Sequence, residues 1–141
     1  MKFGFIKVAA VTPKINVADV KFNTESIKNC VKNADKIGAE LIVFPELCLT
    51  GYTCGDLFYS DVLIKAAVRG LKEITEFSEN VKSLIFLGLP FKKDGRLYNV
   101  AAAVCRGRVL GLASAQQQPL SAGTRQPCKR AQTQSERDGT R

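Results

Sequence analysis

An abrupt change of composition after Leu112 limits the fold of this chain to its first 112 residues. All eleven aromatic residues and every valine and isoleucine lie before Leu112, whereas all six glutamines lie after it. Leu120 is the only large apolar side chain of the remaining segment, so burial cannot offset the entropy of ordering its backbone. We expect a domain over residues 1–112 and an unrelated, low-complexity, disordered tail over 113–141. The tail is either an ordinary flexible terminus or an out-of-frame or vector-derived extension.

The composition excludes several classes of protein. The chain contains no histidine, which excludes Ser-His-Asp and Cys-His hydrolases and histidine-ligated zinc sites. Its five cysteines form no CxxC pair, so we expect free thiols and no metal site. No apolar stretch reaches the roughly 18 residues of a membrane helix, and Lys7 interrupts the only candidate signal-peptide core. We therefore expect a cytoplasmic protein with no membrane partner.

Apolar runs alternate with amphipathic segments along the first 112 residues. The runs predict strands buried on both faces, the second and third of them closed by Pro45 and Pro90. Between them, apolar residues at helical spacing predict two surface helices, the first ended by Gly38. Asp94-Gly95 and Arg106-Gly107 indicate hairpin turns. The predicted strands cover 3–11, 41–44, 84–89, 97–105 and 109–112, and the predicted helices cover 16–37 and 60–79.

This β-α-β-α-β-β-β order predicts an α/β fold, a mixed sheet with two helices on one face. The other face of the sheet then receives no helix from these residues. Because the strands are apolar on both sides, a second layer must come from sequence that is absent here or from a partner.

The loop after the second predicted strand is the first place to look for chemistry, since ligands of open α/β sheets bind beyond the carboxyl ends of strands. This loop reads FPELCLTGYTCGDLF, and Glu46 is the only acid near the strand end. A carboxylate shielded by Phe44, Leu47 and Tyr52 would have a raised proton affinity suited to a general base. The alternative is a solvated loop glutamate.

The string FPEL-x-LTGY resembles the glutamate motif of the nitrilase (carbon-nitrogen hydrolase) superfamily. The continuation GYTCGDLF is similar to the branch of that superfamily fused to glutamine-dependent NAD synthetase. Three further segments resemble the same family in the same order, and the resemblance covers about residues 1–112. They are FIKVAAVTPKINVADVKFN, LIFLGLP and GRLYNVAAAVCRGRVLG.

The resemblance implies part of an α-β-β-α sandwich with a Glu-Lys-Cys triad that hydrolyses glutamine. The ammonia then passes to a separate domain that uses ATP to amidate deamido-NAD to NAD. Glu46 matches the position of the base and Tyr52 a position lining the glutamine pocket. Asp56 belongs to the same loop, where helix capping is favoured over substrate contact. The family tends to form homo-oligomers, and no cofactor or metal is expected in this chain.

The chain departs from this family pattern at the other two triad positions. The triad lysine should fall close to Ala115 and is missing, and the nucleophile lies well downstream in the family. We expect none of Cys48, Cys105 and Cys128 to replace it. The resemblance therefore implies an N-terminal fragment of a glutaminase domain that lacks glutaminase activity by itself.

The sequence leaves three alternative functions to weigh. The first is a non-catalytic interaction module whose uncovered sheet face docks on a partner, and the second is a fragment of an amidase from another nitrilase branch. The third is a nucleic-acid-binding protein, because the net charge is +8. The lysines that share one face of the first helix are interleaved with acids, however, and no nucleic-acid-binding motif accompanies them. We expect no nucleic-acid partner.

Overall fold

The computed structural model describes residues 4–114, which form the predicted order of strands and helices. The strands are β1 (Val8–Ala10), β2 (Leu41–Val43), β3 (Leu84–Lys93), β4 (Arg96–Cys105) and β5 (Arg108–Ser114), and the α-helices are α1 (Val20–Lys36) and α2 (Asp61–Phe77). Two short 3₁₀ helices, Gly55–Tyr59 and Ser78–Asn80, flank α2. The predicted disordered tail lies outside the described residues, except for its first two positions.

These strands form one mixed sheet in the order β1-β2-β3-β4-β5. The first three strands are parallel, as expected for strands joined through helices. The last three are antiparallel and are joined by hairpins. The predicted α/β class and mixed sheet are confirmed.

Both helices pack on one face of the sheet. Asp19 caps the start of α1, its carboxylate accepting a hydrogen bond from the Phe22 amide at 3.0 Å. The apolar stripes predicted for the two helices are buried, and they pack in one core with alternate residues of the strands. This core includes Val20, Ile27, Val31 and Ala34 of α1, Leu63, Ala67, Leu71 and Ile74 of α2, and Ile42, Ile85, Leu87, Leu89, Val100, Ala102 and Val104 of the sheet. No helix among residues 4–114 is long and apolar enough to span a membrane.

The opposite face carries no helix from the described residues. Val8 is 52% exposed and Val43 is 38% exposed on this face, whereas Ile42 on the helix side is fully buried. This exposure agrees with the expectation that the described residues supply no second layer for this face. β1 is a three-residue strand at the edge of the sheet, and Phe5 lies outside it. An apolar run indicates that both faces of a strand are hydrophobic, but it does not indicate what covers them.

β3 continues through Pro90, which was expected to end it. The carbonyls of Phe86 and Gly88 face away from β4, accepting hydrogen bonds from Phe44 and Leu49. Alternate residues of a strand share this direction, so the backbone nitrogen of Pro90, which carries no hydrogen, also faces away from β4. β2 pairs with β3 only as far as Phe86. The proline therefore removes no hydrogen bond from the sheet.

The two predicted hairpins have two-residue turns. Asp94 and Gly95 have φ values of 51° and 74°, and Arg106 and Gly107 have 46° and 75°. Positive φ at both turn positions is the geometry that suits the right-handed twist of paired strands. β5 continues two residues past its predicted end, because Ala113 and Ser114 pair with β4. The change in composition thus falls within a strand.

Candidate active site

The loop that follows β2 is fixed against the end of the sheet. Its central residues Leu47, Cys48 and Leu49 are at most 2% exposed. The Leu49 amide donates a hydrogen bond to the Gly88 carbonyl on β3 at 3.4 Å. From the helix side, Asn23 Nδ2 donates to the Leu49 carbonyl at 3.0 Å. A loop held from two sides presents its remaining side chains in a defined place.

Gly88 allows this loop to cross β3 at close range. A methyl group built on Gly88 would lie 2.8 Å from Glu46 Cα and 2.9 Å from Glu46 C, and closer still to the amide nitrogen of Leu47. These neighbours are backbone atoms, so no side-chain rotation could relieve the overlap. Leu47 also has a φ of 52°, which is uncommon for a non-glycine residue. The backbone of Glu46 is therefore positioned by a specific glycine and a tight loop.

The Glu46 side chain is exposed. It accepts a hydrogen bond at Oε1 from Nδ2 of Asn99 on β4. The prediction that apolar neighbours shield this carboxylate is wrong for residues 4–114. Phe44 and Leu47 point into the core, and Tyr52 is 69% exposed. The shielding fails because residues adjacent in sequence can turn to opposite sides of a loop.

Tyr52 lies in the same loop as Glu46, but no hydrogen bond joins the two side chains. Asp56 lies in the first turn of the 3₁₀ helix Gly55–Tyr59. The prediction that Asp56 caps a helix is wrong, because the 3₁₀ helix begins after Cys54 and α2 begins after Ser60, and neither start has a side-chain cap bond. The structure thus places Glu46 and Tyr52 in one loop without bringing their side chains together.

None of the four described cysteines is a suitable nucleophile beside Glu46. Cys54 is only 5% exposed, and its Sγ donates a hydrogen bond to the Thr50 carbonyl at 3.1 Å. Burial raises the pKa of the Cys48 thiol to about 12, and its Sγ lies 3.5 Å from the Gly88 carbonyl oxygen. Burial also raises the pKa of Cys30, which lies on α1. Cys105 is six residues from Asn99 along β4, roughly 20 Å at about 3.3 Å per residue. Cys128 lies outside the described residues. In the same part of the chain, no lysine or arginine forms an ion pair with Glu46.

The stability of the folded chain is expected to fall above about pH 9 because of Cys48. Its thiol pKa rises from 9.0 to about 12 on folding, so in this window the unfolded chain releases a proton that the folded chain keeps. The stabilisation is complete below pH 9 and is lost as the pH rises toward 12, at up to about 1.4 kcal/mol per pH unit. Urea unfolding at about pH 8 and about pH 10 should show a larger decline for the unchanged chain than for Cys48→Ala. Equal declines would contradict the buried thiol.

Two of the four lysines of α1, Lys28 and Lys32, have protein partners. Lys28 Nζ lies 2.8 Å from Glu25 Oε1 and 3.3 Å from Glu73 Oε2. Lys32 Nζ lies 5.5 Å from the centre of the Phe77 ring. These contacts favour a solvated helix face over a phosphate-binding stripe.

Sequence reasoning missed two residues of this site, Gly88 and Asn99. A glycine within a predicted buried strand was the available signal for Gly88, since such glycines mark close backbone approach. Asn99 had a weaker signal, a polar side chain within the apolar strand YNVAAAV. Neither signal indicated the Glu46 loop as the neighbour.

Comparisons with known proteins agree on one family. The sequence profile of the carbon-nitrogen hydrolases matches residues 7–121. Over 109 residues the chain is 34% identical to the glutamine-dependent NAD(+) synthetase of Mycobacterium tuberculosis. That match covers 77% of this chain but only 16% of the relative. The chain therefore spans about a sixth of the length of that synthetase.

Solved structures show the same fold. A glutamine-dependent NAD(+) synthetase from Cytophaga hutchinsonii superposes with a TM-score of 0.74 at 30% identity, over 79% of this chain and 19% of that one. An amidase from Nesterenkonia sp. superposes with a TM-score of 0.73 at 16% identity, over 89% of this chain and 51% of that one. At this lower identity the likeness to the amidase concerns the fold alone.

Proposed function

The chain belongs to the carbon-nitrogen hydrolase family, and on that premise we propose that it provides the first part of the glutaminase domain of a glutamine-dependent NAD synthetase. The observation that carries the proposal is the position of Glu46. This carboxylate follows β2, where ligands of α/β sheets bind, and its backbone is held against Gly88. In this proposal Glu46 is the general base, and Tyr52 lines the glutamine pocket.

In each half of the reaction, Glu46 would first accept a proton and then return it. It accepts the proton of a cysteine thiol as the sulfur attacks the side-chain amide carbon of glutamine. It returns that proton to the departing nitrogen, so that ammonia leaves and a thioester remains. Glu46 then removes a proton from the water that hydrolyses the thioester to glutamate, and returns it to the sulfur. A lysine ammonium stabilises the negative oxygen in both steps.

The cysteine and the lysine of this mechanism must come from outside residues 4–114. Burial excludes Cys48 and Cys54, the two cysteines of the Glu46 loop, and no lysine pairs with Glu46 in this range. The same proposal assigns ATP and deamido-NAD to a separate synthetase domain, and it places the whole protein in the cytoplasm as a homo-oligomer. The four free cysteines of the described residues are compatible with a reducing compartment.

A second candidate function is a non-catalytic interaction module. The exposure of Val8 and Val43 favours it, because the sheet face without helices is free to pack against another protein. An amidase of another nitrilase branch has weaker support, since the amidase match rests on 16% identity. In light scattering after size-exclusion chromatography, a well-behaved monomer would count against the interaction module.

Ammonia release from glutamine by the purified 141-residue chain tests the proposal. We expect no rate above that of the Glu46→Ala variant, because one of three catalytic groups cannot complete the reaction. The variant removes the proposed base from an exposed position, so it should not disturb folding. Turnover by the unchanged chain above the Glu46→Ala control would overturn the proposal that this chain supplies the base while the cysteine and the lysine come from elsewhere.

A further inference from the structure

We infer that Asn99 is a positioning residue that occupies Oε1 of Glu46 and leaves Oε2 as the oxygen that accepts the proton. The inference rests on the proposed role of Glu46 as the base. Its observation is the hydrogen bond from Asn99 Nδ2 to Glu46 Oε1. Within the described part of the chain, Oε2 accepts no hydrogen bond. The two oxygens of the carboxylate therefore have different surroundings.

The chemistry of the two groups fixes the direction of this contact. An ionised carboxylate only accepts hydrogen bonds, whereas the asparagine side chain has one donor end and one acceptor end. The acceptor end of Asn99 would repel Glu46, so its NH₂ group must face the carboxylate. A neutral donor also holds the base without adding a positive charge, which would oppose protonation of the carboxylate. This property suits a group that must both take and return a proton.

The backbones of Asn99 and Glu46 are both held in place by the fold. Asn99 is half-buried, lies opposite Pro90 in the pairing of β3 with β4, and precedes Val100, which is buried in the core. Glu46 is held where its loop crosses Gly88. An exposed glutamate otherwise samples several rotamers. A donor on a central strand restricts that sampling before any substrate binds, which is how a catalytic group becomes preorganised.

Nuclear magnetic resonance on the isotopically labelled 141-residue chain tests the inference. We expect cross-relaxation between the Asn99 side-chain amide protons and the Glu46 methylene protons. Glu46→Gln, which replaces the carboxylate by a neutral amide, should shift the Asn99 side-chain amide signals. Glu40→Gln, the same change at an exposed glutamate before β2, should leave the Asn99 signals unchanged.

Asn99→Ala provides the reciprocal measurement. The two γ-protons of Glu46 should have distinct shifts in the unchanged chain and should become nearly equivalent in the variant, because rotamers then average. Asn99 side-chain amide signals that are the same in Glu46→Gln as in the unchanged chain would overturn the inference. So would equivalent Glu46 γ-protons in the unchanged chain. The Glu46→Gln measurement tests the Asn99 contact even if Asn99→Ala fails to fold.

This experiment detects the contact between Asn99 and Glu46 and does not depend on catalysis. If Glu46 is not a base, the Asn99 signals still respond to Glu46→Gln, whereas a catalytic assay shows no dependence on Glu46. The failure of the positioning inference and the failure of the proposed function are therefore distinguishable.

Discussion

Replacing Glu46 by glutamine is expected to lower glutamine-dependent ammonia release by about 10²–10⁴-fold, the usual contribution of a general base. The assay uses a chimera in which the 109 matched residues of the M. tuberculosis synthetase are replaced by their counterparts from this chain. The glutamine side chain keeps the size of glutamate and cannot take the thiol proton. The loss should appear in kcat, because proton transfer occurs in the transition state.

Two controls separate chemistry from folding in this chimera. Glu40→Gln makes the same change of charge at an exposed residue before β2, and it should leave the rate unchanged. NAD formation from added ammonia should also be unaffected by Glu46→Gln, since it bypasses glutamine hydrolysis. An undiminished rate of glutamine hydrolysis in the Glu46→Gln chimera would contradict the role of Glu46.

Gly88→Ala is expected to destabilise the chain by roughly 1–3 kcal/mol, the usual cost of forcing an extra methyl group into a packed site. The new methyl group would overlap the backbone of Glu46 and Leu47, so the loop must move away from β3. In the chimera, the same substitution should also lower glutamine hydrolysis, because Glu46 is displaced with the loop.

Gly111→Ala is the matched control for this substitution. Gly111 is also a strand glycine, and a methyl group built on it meets nothing within 4 Å among the described residues. Alanine in a strand otherwise gains about 0.5–1 kcal/mol over glycine from lower backbone entropy. Urea unfolding of the 141-residue variants should therefore give a lower midpoint for Gly88→Ala and an equal or higher one for Gly111→Ala. Equal midpoints for both would contradict the close crossing at Gly88.

Local patterns in the sequence predicted the elements of the fold well. The spacing of Val20, Ile27, Val31 and Ala34 identified the buried stripe of α1, because a helix places such residues on one side. The hairpin at Asp94-Gly95 followed from the ability of these residues to adopt positive φ. Each of these features depends on residues close together in the chain.

Features that depend on tertiary neighbours were not predictable in the same way. The exposed side chain of Glu46 was not predictable from its apolar neighbours in sequence, because they pack into the core. The tolerance of β3 for Pro90 depends on where β2 stops. The surroundings of Glu46 depend on which side of the loop Phe44 and Leu47 face. Each outcome is decided by contacts between distant segments.

The candidate site was located from sequence only in part. The motif around Glu46 identified the loop and the residue, because a strand end followed by FPEL is a distinctive pattern. The partner Asn99 lies 53 positions away in sequence, and only the register of β3 with β4 brings it to Glu46. The role of Gly88 was also not predictable from sequence, because it depends on how the Glu46 loop crosses β3.

The most direct test of the central claim is the rate of glutamine-dependent NAD formation by the chimera with Glu46 unchanged, divided by its rate with added ammonia. If this chain supplies the base to a site completed by later residues, the ratio should remain close to that of the parent synthetase. An intact rate with ammonia, combined with a glutamine-dependent rate as low as that of the Glu46→Gln chimera, would contradict the claim.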